Sequence, residues 1–100
     1  MNPIFIKSYL KLAGQGLGGE FALAQFNLGI CYFNGDGVEK DDIESYAYFS
    51  LVCIKEEYGQ EYREVLEKKL PREVVVRGKQ RAKVLLKQIK AKIAAKKAKK

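Results

Sequence analysis

The sequence predicts an all-α fold, and three observations carry that prediction. Apolar residues recur at helical spacing between Phe21 and Phe33, a helix-ending corner follows at residues 34–37, and another helical stripe runs through the basic end of the chain. Together with two shorter helical segments, these features predict about five helices arranged in antiparallel hairpins.

The first strongly predicted helix carries two overlapping apolar stripes. One stripe contains Ala22, Phe26, Gly29, Ile30 and Phe33, and the other contains Phe21, Ala24, Leu28 and Tyr32. A helix that is apolar over so wide an arc must be covered from more than one side. Gly29 costs about 1 kcal/mol relative to alanine within a helix, so we expect another helix to pack closely against it.

The corner "NGDG" separates this helix from a second one. Asn34 and Gly35 are typical of a left-handed C-terminal cap. Asp41 or Asp42 can cap the next helix, and Asp41 with Glu44 has the spacing of a capping box. We expect the second helix to run to about residue 56, completing a helical hairpin.

Three further segments favour helices on either side of the hairpin. The segment "IFIKSYLKLA" is interrupted by the glycine cluster at residues 14–19, and "QEYREVLEKKL" is ended by Pro71. The last segment has apolar residues at i, i+3, i+4, i+7 and i+11, namely Ala82, Leu85, Leu86, Ile89 and Ile93. It predicts one amphipathic basic helix that frays into the tail "AAKKAKK".

The composition indicates one small globular domain. Of the 100 residues, 47% are apolar and 31% are charged. Residues 1–71 contain 7 Lys/Arg and 11 Asp/Glu, whereas residues 72–100 contain 12 and 1, so an acidic body precedes a basic end. No apolar run approaches the roughly 18 residues of a spanning helix, and the start lacks a signal-peptide pattern. A cytoplasmic location is therefore expected.

The two cysteines are predicted to be reduced. In an antiparallel hairpin that turns near Val38, Cys31 and Cys53 would lie on the order of 12 Å apart. That separation is too long for a disulfide. Buried thiols that act as small apolar side chains agree with a cytoplasmic protein.

The hairpin resembles a Sel-one-like repeat, a helical hairpin related to the tetratricopeptide repeat. The residues that match are Ala22, Ala24, Gln25, Leu28, Gly29, Tyr32, Gly35, Gly37 and Val38, followed by Asp41, Tyr46, Tyr48 and Phe49. The resemblance implies a short right-handed α/α solenoid and a module or adaptor that binds another protein, with no cofactor. It divides the single domain into residues 1–19 (a partial preceding repeat and turn), 20–56 (the complete repeat), 57–87 (C-terminal capping helices) and 88–100 (a basic tail).

Only one repeat is complete, although about three are usually needed for stability. We therefore expect flanking helices to cap the repeat, or the exposed ends of the array to associate with another molecule or a second copy. If the first helix lines the concave side, as in tetratricopeptide relatives, the partner-binding candidates lie between the packing residues: Leu23, Asn27, Ile30, Phe33 and Asn34.

The sequence gives little support for a small-ligand site, a metal site or a catalytic site. "GQGLGG" satisfies G-x-G-x-x-G, but the segment after Phe33 turns into a helix where a dinucleotide fold needs a strand, so a turn is favoured. A calcium loop starting at Asn34 would place Val38 and Glu39 where an oxygen ligand and glycine are required. The chain has no histidine, and neither cysteine has an activating neighbour in sequence, so we expect no enzyme.

The basic end leaves several interpretations open. Its predicted patch comprises Arg77, Lys79, Arg81, Lys83, Lys87 and Lys90. The patch could belong to a solvated capping helix, or it could bind an acidic protein or the chain's own acidic body. Nucleic acid or an anionic membrane surface is the alternative partner, although aromatic residues and a base-reading motif are lacking there.

Overall fold

The computed structural model describes residues 3–98, and within them the chain forms five α-helices and no strand. The helices are α1 (Pro3–Ala13), α2 (Gly19–Asn34), α3 (Asp42–Val52), α4 (Tyr58–Lys69) and α5 (Arg72–Ala98). The prediction of an all-α fold is confirmed. The second helix of the hairpin ends at Val52, four residues before the predicted end, because the chain turns at residues 53–55.

The corner between α2 and α3 is built by local hydrogen bonds. Gly35 has a φ of 68°, the left-handed conformation that glycine adopts without strain, and its N–H donates to the carbonyl of Cys31. The Asp41 side chain accepts from the backbone N–H groups of Ile43 and Glu44 at 3.0 and 3.1 Å. The Asp41 N–H donates to the carbonyl of Tyr32, so the capping box is not closed by Glu44. Instead, the Glu44 carboxylate accepts from Arg81 on α5.

The two hairpin helices approach each other at Gly29. A Cβ atom at Gly29 would lie 2.8 Å from the ring of Phe49 on α3. The Ser45 hydroxyl, also on α3, donates to the Gly29 carbonyl at 2.6 Å. The missing side chain at Gly29 therefore permits both a ring contact and an interhelix hydrogen bond. The close helix packing predicted at this position is observed.

The glycine cluster forms the turn between α1 and α2. The fully buried side chain of Gln25 donates to the carbonyls of Ala13 and Gly16, at 3.0 Å each. The backbone N–H of Gly19, at the start of α2, donates to a carboxylate oxygen of Glu56 at 3.1 Å. An acidic side chain of the same chain thus occupies the position that a phosphate would need.

Helix α3 is covered on all sides, with one apolar cluster on each flank. The first cluster joins α1, α2, α3 and α5 through Ile6, Ala13, Ala24, Leu28, Cys31, Ala47, Tyr48, Leu51, Leu85 and Ile89. The second cluster contains Tyr46, Phe49, Leu66 and Val75, with Phe26, Ile30, Phe33 and Leu70 packed against it. Cys31 is buried as predicted, whereas Cys53 is only partly buried, and neither forms a disulfide within residues 3–98.

Helix α5 packs along α3 and reaches α1, while it touches α4 only slightly. A Cβ atom at Gly78 would lie 2.6 Å from the Tyr46 ring, and farther along α5 the Lys92 side chain reaches Gly14. The expected fraying of residues 88–100 is not observed in the described residues, because α5 continues to Ala98 and buries Ile89 against α1 and α3. Residues 99 and 100 lie outside the described residues.

Candidate protein-binding surface

The residues predicted on α2 lie largely on its outer face. Leu23, Asn27, Ile30 and Asn34 follow the spacing i, i+4, i+7 and i+11 and therefore share one stripe. Leu23 and Asn34 are exposed, with 55% of the Leu23 surface accessible, whereas Asn27 and Ile30 are half-buried. Phe33 lies to one side of this stripe and packs against the second cluster, below the ammonium group of Lys40.

Helix α4 carries a matching stripe that the sequence reasoning missed. Tyr58, Tyr62, Val65 and Lys69 have the same spacing as the α2 stripe, and each lies 35 positions after its counterpart. Tyr58, Tyr62 and Val65 are exposed by 43%, 46% and 44%. The signal was present in the sequence as a shared spacing, but the polar residues between these positions concealed it.

The two stripes enclose an apolar groove of about 320 Å³. Its α2 wall contains Ile30, Phe33 and Asn34, and its α4 wall contains Tyr62, Val65 and Lys69. Phe49 and Leu66 also line it. Three of the five predicted α2 residues therefore meet in one groove, while Leu23 and Asn27 lie outside its lining.

Aromatic contacts hold the α4 side of this surface in place. Phe26 on α2 makes edge-to-face contacts with Tyr58 and Tyr62, with ring centroids 5.4 and 4.9 Å apart. The Tyr62 ring also stacks on Phe49 with a centroid separation of 5.4 Å. Such contacts restrict rotation of the Tyr58 and Tyr62 side chains.

The predicted basic patch divides into paired and unpaired residues. Arg77 pairs with Glu73 one helical turn earlier at 2.8 Å, and Arg81 Nε donates to Glu44 on α3 at 2.5 Å. The other four members have no ion pair within residues 3–98: Lys79, Lys83, Lys87 and Lys90. Arg81 therefore joins α5 to α3.

The described residues offer few groups for chemistry. No group of three or more His, Cys, Asp or Glu side chains among residues 3–98 could hold a metal ion. Burial raises the pKa of both the Cys31 and Cys53 thiols, which disfavours the reactive thiolate. No helix among these residues is long and apolar enough to cross a membrane.

The architecture defines a class of protein. Two antiparallel helices meet at a glycine, turn through a glycine corner, and receive helices on both flanks, which is the arrangement of α/α hairpin repeats. Residues 22–53 match the family model of the Sel1 repeat, which is a repeat of this class. No curated protein and no solved structure matches the chain. The fold is therefore a helical repeat fold like that of tetratricopeptide proteins, and α1, α4 and the basic helix α5 lie outside the matched segment.

Proposed function

We propose that this chain is a non-enzymatic protein-interaction module, an adaptor that binds a partner polypeptide in the groove between α2 and α4. One observation carries the proposal. Exposed apolar and aromatic side chains occur at the same spacing on both helices and enclose an apolar groove between them. Sel1 repeats generally mediate protein–protein interactions, which supports the assignment.

The composition of the groove suits a protein partner. Tyrosine is enriched in the centres of protein interfaces, where it supplies a large contact area and a polar tip. Tyr58 and Tyr62 are both nearly half exposed and are held by Phe26. Lys69 and Asn34 at one end of the groove add polar groups that could set the orientation of a bound segment.

The proposal has two further parts: the chain does not catalyse a reaction, and it is located in the cytoplasm. The sequence lacks histidine, and burial disfavours the thiolate forms of Cys31 and Cys53. Two partly or fully buried cysteines that form no disulfide within residues 3–98 suit a reducing compartment.

A pair of matched valine variants tests the groove. Val65→Ser removes an exposed apolar side chain from the groove, and Val76→Ser makes the same change on α5, where the valine is 45% exposed. Affinity capture from native cell extract, with nuclease treatment, should recover a specific protein with the unmodified chain and with Val76→Ser. Recovery with Val65→Ser should fall roughly tenfold, the effect of about 1.4 kcal/mol.

Equal recovery with both valine variants would contradict the proposed groove. Circular dichroism of each variant shows whether the helices remain formed, so a loss of folding is recognised separately. Sedimentation of the purified chain tests self-association, and a dimer that both variants leave intact would place that contact elsewhere.

A second candidate function is binding of nucleic acid or another anionic surface by α5. The observation that favours it is the row of unpaired lysines Lys79, Lys83, Lys87 and Lys90 on one flank of that helix. Such binding should weaken steeply as salt is added, because each neutralised phosphate releases a counterion.

A further inference from the structure

A cavity with several charged lining residues lies on a different flank of α4 from the protein-binding groove. Helices α4 and α5 diverge after Pro71, and the space between them opens a cavity of about 400 Å³ above α3. Tyr46 and Ser50 of α3 form its floor, and charged side chains of α4 and α5 form its walls. Its volume lies within the range of about 300–1,000 Å³ that small-molecule sites occupy.

The cavity has an excess of positive charge. Arg63 from α4 and Lys79 and Lys83 from α5 line it, together with a single acid, Glu67. None of the three cations forms an ion pair within residues 3–98. The Glu67 carboxylate accepts a hydrogen bond from the Tyr46 hydroxyl at 3.1 Å. Three cations and one acid leave a local charge that matches a dianion.

Arg63 provides a second, independent observation. Its Nε atom is buried and has no hydrogen-bond acceptor among the described residues. Most buried donors in folded proteins are paired, so an unpaired guanidinium donor in a cationic cavity calls for an acceptor. Arg77 and Arg81 of α5 contrast with it, because each has a carboxylate partner.

We infer that this cavity binds a phosphoryl group, with the Arg63 guanidinium and the Lys79 and Lys83 ammonium groups as its ligands. A guanidinium presents parallel donors that fit phosphate oxygens, and lysines add point charges on flexible stems. The cavity is wide enough for a phosphate monoester as well as inorganic phosphate. Tyr46 and Ser50 would lie beneath the bound group.

The site is separate from the proposed protein-binding groove. Arg63 and Glu67 lie about 100° or more around α4 from Tyr58 and Tyr62, at 100° per residue. Loss of phosphoryl binding and loss of partner binding can therefore be produced by different substitutions, and either proposal can fail alone.

Nuclear magnetic resonance titration of the full chain tests the inference. Sodium phosphate is added at about pH 7.5, where a phosphomonoester is also dianionic, and sodium chloride is added to a second sample at matched ionic strength. We expect saturable shifts of the Arg63 Nε–H signal and of the Ser50 and Lys83 amides with phosphate only. Parallel titrations with O-phosphoserine and with serine distinguish an organic phosphate from the inorganic ion, and serine should give no shift.

Substitutions complete the test. Lys83→Gln and Arg63→Gln should each weaken phosphate binding roughly tenfold, the effect of losing one charge-assisted hydrogen bond. Lys11→Gln removes the same charge from an exposed site on α1, outside the cavity, and should leave the affinity within about twofold. Since Lys83 is exposed, its substitution leaves the fold intact even if the change at Arg63 disturbs α4. Shifts that follow ionic strength alone, or an equal loss in Lys11→Gln, would overturn the inference.

Discussion

The ring of Phe49 lies directly against the backbone of Gly29, so that α2 and α3 touch where a side chain is missing. Gly29→Ala would place a methyl group 2.8 Å from that ring. Overpacking of this kind costs about 1–3 kcal/mol, and the gain in helix propensity returns about 1 kcal/mol. We therefore expect the free energy of unfolding to fall by up to about 2 kcal/mol, measured by chemical denaturation.

Two variants test the cause of that loss. Gly14→Ala is the control, because its Cβ would lie 3.4 Å from the flexible end of Lys92 and should change stability by less than about 0.5 kcal/mol. Phe49→Leu should reduce the effect of Gly29→Ala, since the two residues are in contact. Strictly additive effects of Gly29→Ala and Phe49→Leu would show that the ring contact is not responsible.

The Gln25 side chain fixes α1 to the hairpin, so its replacement should loosen α1. Gln25→Leu leaves the carbonyls of Ala13 and Gly16 without this donor in a buried site. An unpaired buried acceptor costs about 1–3 kcal/mol. We expect a loss of at least that size and faster amide hydrogen exchange in α1 than in α3.

Gln60 offers the matched control, since it lies 35 positions after Gln25 but is exposed on α4. Its side chain donates to Glu64 in the same helix. Gln60→Leu should change the free energy of unfolding by less than about 0.5 kcal/mol. Similar losses for both substitutions would argue against the specific role of the Gln25 hydrogen bonds.

Features that depend on neighbours in sequence were predictable, and features that depend on distant contacts were not. The Gly35 cap and the Asp41 cap follow from short-range residue preferences, and both are present. The Glu44–Arg81 pair joins residues 37 positions apart, and no local pattern indicates it. The Asp41 half of the predicted capping box forms, since its side chain accepts from the Glu44 N–H. The Glu44 half does not form, because the Glu44 carboxylate pairs with Arg81 of the docked helix α5.

The α2 wall of the candidate groove could be predicted from the sequence, whereas its α4 wall could not. The α2 stripe follows from the resemblance of that helix to a repeat, which assigns some positions to packing and leaves others exposed. The α4 stripe lies outside the matched residues 22–53. Its tyrosines are exposed, but tyrosines at this spacing are equally typical of core positions. Only the docking of α4 on Phe26 shows that Tyr58 and Tyr62 keep an open face.

The Arg81–Glu44 pair should contribute more to stability than the Arg77–Glu73 pair on the same helix. The Glu44 side chain is only 17% exposed and joins α3 to α5, whereas the Glu73 side chain is 75% exposed and lies within α5. With allowance for partial exposure of Arg81, Arg81→Gln should cost about 1 kcal/mol. Arg77→Gln should cost less than about 0.5 kcal/mol.

A double-mutant cycle with Glu44→Gln isolates the interaction between the two side chains. A coupling energy near zero between Arg81→Gln and Glu44→Gln would show that the pair does not hold α5. Chemical denaturation at low and high salt adds a second measurement. The contribution of the more exposed Arg77–Glu73 pair to stability should be lost first as salt screening increases.

Stability should decline in alkaline solution because two core tyrosines must remain neutral. Burial raises the pKa of Tyr46 to about 12 and that of Tyr48 to about 12, from about 10 in an unfolded chain. Since the folded state holds these protons more tightly, their contribution is complete below about pH 10 and is lost as the pH rises toward about 12.

Denaturation measured across this pH range, with tyrosinate absorbance as a second signal, checks the decline. Tyr48→Phe removes one of the titrating hydroxyls and should reduce the loss of stability over the same interval. The Tyr48 ring would keep its stacking on Tyr32, where the centroids are 5.9 Å apart. An unchanged slope in Tyr48→Phe would assign the alkaline decline to other groups.

Removal of the basic end by truncation should unfold part of the domain as well as remove charge. A chain that stops after Lys87 loses Ile89, which is 2% exposed, and Ile93, which packs against the first core cluster. Loss of one buried isoleucine side chain alone costs about 2–5 kcal/mol. We expect a stability loss of at least that size, measured by thermal or chemical unfolding.

Charge substitutions test anion binding by α5 without this loss of packing. Four lysines of α5 are exposed: Lys87, Lys90, Lys96 and Lys97. Replacement of any one of them by glutamine should change the free energy of unfolding by less than about 0.5 kcal/mol. If α5 contacts phosphates of single-stranded nucleic acid, each replacement should reduce the slope of log affinity against log salt by about 0.7. Lys7→Gln and Lys11→Gln on α1 provide the same charge change away from α5 and should leave the slope unaltered. Equal effects of the α1 and α5 substitutions would indicate a response to net charge, and α5 would then be a capping helix whose lysines serve solubility.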